Sequence, residues 1–154
     1  MNARGSIVFT VLCCCLNVNS GRAAEILDQG TQRYGMHSCP VGMFVTGIHG
    51  QRNQLLCADG YGNHSQETID RNTHSQGMHA CPRGLAMTGI HAGKNLFACA
   101  RVDESRVEFG KAGWAPRVDQ SIRRQGMHAC PDTRPVLGMQ VQKNLLLCIG
   151  PGQE

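Results

Sequence analysis

The stretch "GMHSCPVGMFVTGIHGQRNQLLC", Gly35 to Cys57, decides the fold, because the chain writes it three times. "GMHACPRGLAMTGIHAGKNLFAC" runs from Gly77 to Cys99, and "GMHACPDTRPVLGMQVQKNLLLC" from Gly126 to Cys148. The register extends back without a gap to an aspartate, Asp28, Asp70 or Asp119, and defines units 28–57, 70–99 and 119–148. One unit used three times is the signature of a repeat architecture. All copies share that Asp, Gly-Met-His, Cys-Pro, a later Gly (Gly47, Gly89, Gly138), an Asn (Asn53, Asn95, Asn144) and the closing Cys. A basic residue precedes the Asn each time: Arg52, Lys94 and Lys143.

Each unit reads as β. After the Cys-Pro turn comes a run such as "MFVTGIH", then a turn-prone "GQRN" or "AGKN", then a short apolar run such as "LLLC". This is a hairpin with a basic-Asn tip, and Asn suits the tip because it tolerates left-handed backbone. Strict alternation puts Phe44, Thr46 and Ile48 on one face and Val45, Gly47 and His49 on the other. The repeated Gly on that second face implies close backbone approach or a bulge. An isolated hairpin is marginal in water, whereas three can close together. The expected fold is therefore all-β: three tandem repeats in a pseudo-threefold β-prism or trefoil-like closed array. The spacing of Cys-Pro, Gly and Asn is similar in plan to secreted, cysteine-bearing β-prism proteins of the vitelline-membrane outer-layer type, a likeness of architecture that carries over no residue.

Six cysteines fall two per unit: Cys39 and Cys57, Cys81 and Cys99, Cys130 and Cys148. Six cysteines allow 15 pairings, but one pair per unit is the pairing that the repeat favours. The spacing matches no close-paired zinc pattern, so disulfides are expected, each worth about 3 kcal/mol in the chain-entropy model.

The N-terminal residues 1–23 read as a signal peptide, with Arg4, an apolar run from Ile7 to Val18 and small residues ending in Ala23 and Ala24. A lipid-anchored alternative through Cys13, Cys14 or Cys15 lacks small residues just before each cysteine. The run of about a dozen residues is shorter than the roughly 20 that span a bilayer, so no transmembrane segment is expected. Residues 24–154 then form a single domain, secreted or periplasmic. Without Arg4 and Arg22, thirteen Lys and Arg face eleven Asp and Glu, a balance that argues against a nucleic-acid partner.

The chemistry of the repeats leaves three readings open. A ring of His37, His79 and His128, supported by Met36, Met78 and Met127, would suit copper first and zinc second. His49 and His91 are secondary contributors, since the third unit has Gln140 there. Alternatively, Met fills a core gap and His satisfies a backbone carbonyl. The tips Arg52-Asn53, Lys94-Asn95 and Lys143-Asn144 offer lectin-like contacts to a glycan or cell surface, although aromatics for stacking on sugars are few. A purely structural or protein-interaction module is the third reading. No nucleophile elbow, HExxH helix, phosphate loop or dinucleotide fingerprint occurs. The three aspartates are most simply turn caps. The expectation is a non-enzymatic binding or structural module.

Overall fold

A computed structural model describes residues 25–28, 30–59, 62, 67–70, 73–75, 77–103, 115–119, 123–124, 126–140 and 143–150. The leader assigned to residues 1–23, the sequon at Asn63 and the connector around Trp114 lie outside them. The described chain is all-β, with short 3-10 turns and no α-helix. No helix among the described residues is long and apolar enough to cross a membrane.

Each unit contributes five strands. The first supplies β1 (Glu25–Asp28), β2 (Gln32–Arg33), β3 (Met36–Ser38), β4 (Phe44–His49) and β5 (Gln54–Ala58). The second supplies β6 (Glu67–Asp70), β7 (His74–Ser75), β8 (Met78–Ala80), β9 (Leu85–His91) and β10 (Leu96–Arg101). The third supplies β11 (Ala115–Asp119), β12 (Arg123–Arg124), β13 (Met127–Ala129), β14 (Val136–Gln140) and β15 (Leu145–Gly150).

These strands form three five-stranded sheets, ordered β1-β5-β4-β13-β12, β2-β3-β9-β10-β6 and β11-β15-β14-β8-β7. Every sheet therefore combines three strands of one unit with a two-stranded ribbon of another. The first unit lends β2-β3 to the second, the second lends β7-β8 to the third, and the third lends β12-β13 to the first. All pairings are antiparallel.

Local sequence explains the ribbons and the hairpins. In the first ribbon, Tyr34 and Gly35 both have positive φ, 54° and 70°, and connect Arg33 directly to Met36. That is the two-residue turn whose twist matches the strands it joins, with Gly in its second place. Gly77 and Gly126 repeat the positive φ. After each Cys-Pro, a backbone bond back to the proline carbonyl closes a turn, as in Met43 to Pro40 and Leu85 to Pro82. Gly42 and Gly84 supply its left-handed third position.

The three disulfides join Cys39 to Cys57, Cys81 to Cys99 and Cys130 to Cys148, the pairing expected from the repeat. All six sulfurs sit in one apolar cluster with Val45, Met87 and Val136, one residue from the central strand of each sheet. Such bonds suit an extracellular protein.

Strict alternation fails in the central strands. A register shift between Val45 and Gly47 inserts an extra residue, Thr46, opposite β5. Phe44 and Ile48 consequently fall in different clusters, while Val45 and Ile48 share one. The third unit shows the same shift between Val136 and Gly138. A bulge of this kind bends the strand and resets its faces.

Candidate functional site

The repeated polar residues meet in a side-chain clamp. His37 Nε2 donates to Asp28 Oδ1 at 3.0 Å, and its Nδ1 lies 3.2 Å from Asn53 Oδ1. The second unit repeats this, with His79 at 3.1 Å from Asp70 and 3.0 Å from Asn95. Each clamp ties a lent ribbon, which carries the His, back to its own unit's outer strand and hairpin tip. His79 also stacks on Phe97, ring centroids 4.0 Å apart.

The aspartates do double duty. Asp28 accepts from the Thr31 amide at 3.0 Å and the Thr31 hydroxyl at 2.7 Å, and Asp70 binds Thr73 in the same way. Partial burial pushes both carboxyls up, but bonds from Thr31 and His37, or from Thr73 and His79, outweigh it and leave both below the usual aspartate value. Their expected role as turn caps is met, with the histidine bond added.

The tip asparagines are conformational and polar at once. Asn53, Asn95 and Asn144 have φ of 49°, 51° and 52°, the left-handed region that Asn enters more readily than most residues. For Asn53 and Asn95 the side-chain oxygen is engaged by a histidine. Arg52, Lys94 and Lys143 are exposed and form no ion pair among the described residues.

His37, His79 and His128 lie on β3, β8 and β13, in three different sheets. No group of three His, Cys, Asp or Glu side chains forms a metal-ligand cluster among the described residues. Met36, Met78 and Met127 are buried, the last two within apolar clusters. His128 stands apart from its equivalents: it is buried, and neither ring nitrogen has a hydrogen-bond partner among the described residues.

The repeated Gly marks where a lent ribbon crosses. A Cβ on Gly47 would come within 2.8 Å of Ala129 Cβ, and one on Gly89 within 2.9 Å of the His37 carbonyl oxygen. One on Gly138 would come within 2.7 Å of Ala80. Both sequence expectations for this position, close approach and bulge, are met.

The clamp itself escaped sequence reading. Its signal was present: three polar residues recur at spacings of nine and sixteen residues from the His, in a fold with little else polar to bury. No protein-family model, curated protein or solved structure matches the chain.

Proposed function

We propose that the chain is an exported, non-enzymatic binding module whose three units close as a pseudo-threefold, prism-like array and whose hairpin tips hold acidic glycans. One observation carries this reading. Among the described residues, the other repeated positions serve the fold as clamp, turn, core, disulfide or ribbon crossing in at least two of the three units. The basic residue at 52, 94 and 143 is exposed, recurs in all three units and has no such use. Three weak cationic contacts on one rigid body gain through multivalency what none supplies alone. The cations favour sulfated or carboxylated chains over neutral sugars, consistent with the lack of repeated aromatic rings.

Copper or zinc binding through the Met-His positions has less support. The methionines are buried, and His37 and His79 have both ring nitrogens engaged.

Retention on immobilised heparin tests the proposal. The oxidised protein should be retained at low salt and released as salt screens the contacts. The triple variant Arg52→Ala, Lys94→Ala, Lys143→Ala should pass through with its fold intact. Elution of that variant at the wild-type salt concentration would reject the tips as the binding surface.

A further inference from the structure

The third unit departs from the other two where all three carry the same residue. His128 is 3% exposed, and its ring nitrogens lack partners among the described residues. A buried polar group left unbonded costs about 1–3 kcal/mol, which sets the third unit apart from the two whose histidine is clamped. Its sequence neighbourhood differs as well: the position of Thr31 and Thr73, whose hydroxyls fasten the clamp aspartates, is Ile122 in the third unit.

His128 lines a cleft of about 590 Å³ together with His49, Gln51, Arg123, Met139 and Asn144. The cleft lies between the β4-β5 tip of the first unit and the β14-β15 hairpin of the third, with the lent ribbon along its side. Arg123 is the cross-strand partner of His128 on β12, and Ile48 is its partner on β4. The equivalent partners of His37 and His79 are Gln32 and His74, so the guanidinium belongs to this cleft alone.

The chemistry of the lining is one-sided. Arg123, two histidines, Gln51 and Asn144 line the space, and no carboxylate is among its described lining residues. A metal cation beside Arg123, with only two histidines to bind it, is disfavoured. An anion suits Arg123, since Arg presents a planar fork to a carboxylate. The remaining wall, including Ile48, Met139 and Leu145, is apolar. The volume falls in the range of about 300–1,000 Å³ used for small organic ligands.

We infer that the cleft beside His128 binds a small organic carboxylate, its charged end held by Arg123 and its apolar body against Met139 and Leu145. Arg52, Lys94 and Lys143 are not among the cleft's described lining residues, so removing those cations leaves its lining in place.

Octanoate is a suitable probe, titrated calorimetrically into the full oxidised protein, with 1-octanol as uncharged control and zinc as metal control. Saturable 1:1 binding of octanoate is expected, with octanol at least tenfold weaker. Arg123→Gln, on an exposed strand position, should weaken octanoate at least tenfold without lowering the melting temperature. In the wild type, octanoate should shift the ring nitrogen resonances of His128 and leave those of His37 and His79 in place. This readout needs no substitution at the buried His128. The tip triple variant should bind octanoate as the wild type does. Absence of saturable binding up to about 10 mM, equal affinity for octanol, an unmoved His128, an unaffected Arg123→Gln variant, or equimolar zinc displacing octanoate would each overturn the assignment.

Discussion

Gly138→Ala should destabilise the protein by about 2 kcal/mol. At Gly138 a lent ribbon lies on the central strand of its host sheet, paired with Ala80. An added Cβ would stand 2.7 Å from both Cα and Cβ of Ala80, with the His79 carbonyl oxygen closer still. Carbon atoms prefer separations of about 3.5–4.0 Å, so β8 must move outward by about 1 Å or the sheet must deform. Overpacking of this kind costs about 1–3 kcal/mol, and the upper half applies because two of the three atoms met are backbone, which cannot swing aside. Alanine recovers about 0.4–1 kcal/mol by restricting the unfolded chain. The net of about 2 kcal/mol corresponds to a fall of roughly 8 °C in melting temperature for a domain of this size. Thermal and urea unfolding with disulfides intact measure it. Gly93→Ala is the control: its Cβ would meet nothing closer than His91 Cε1 at 3.7 Å, so its stability should stay level or rise slightly. A Gly138→Ala protein melting within about 2 °C of both wild type and control would refute the ribbon-crossing account of this residue.

The clamps make a paired prediction in the same assay: His79→Phe should cost about 2 kcal/mol by stripping Asp70 and Asn95 of their partner, whereas His128→Phe, which removes two unbonded buried nitrogens, should raise stability by about 1–3 kcal/mol. Stability should also fall with acid. Asp28 and Asp70 have lowered folded-state pKa values, so their contribution is complete above the unfolded value of 3.8 and is lost as pH drops through the folded values. The urea midpoint should therefore decline below about pH 4, and Asp70→Asn should flatten that decline. Finally, Thr133 is a β-branched residue at φ 57°, in the turn where Gly42 and Gly84 serve elsewhere. Thr133→Gly should stabilise the protein by about 0.5–1 kcal/mol, since the left-handed conformation costs a side-chain-bearing residue about 1–2 kcal/mol and glycine's extra chain entropy returns part of that.

Much of the fold was legible because repetition turned single weak signals into triple ones. The Cys pairing, the hairpins, the left-handed Asn and the crowded Gly all follow from residue type and position within the unit. Ribbon lending was not legible. A two-residue strand such as Gln32–Arg33 carries no periodicity, and nothing local says which unit's sheet it will join. The alternation of Phe44 through His49 misled for a related reason: a bulge at Thr46 is fixed by the crossing strand, which is distant in sequence. The candidate site divides likewise. The tip cations could be read from the sequence, whereas the cleft at His128 arises where Arg123, His49 and Asn144 come together from two units.

The covalent and noncovalent ties of this fold act at different levels. All three disulfides close loops inside a unit, each with a sequence separation of 18. None crosses between units, so cohesion between units rests on the lent ribbons, the packing of their central strands and the Arg33–Glu67 ion pair across the second unit's sheet. An oxidised unit alone keeps its hairpin staple but leaves its ribbon with no sheet to join. Two of the loans run forward to the next unit along the chain. The third runs back from β13 to β4, where His128 pairs with Ile48. Non-local pairing carries the largest loop-closure cost. The first unit's sheet is therefore the one that cannot be completed until the third unit has been made, and its completion also forms the walls of the His128 cleft. Completion of that sheet and assembly of the cleft are the same step.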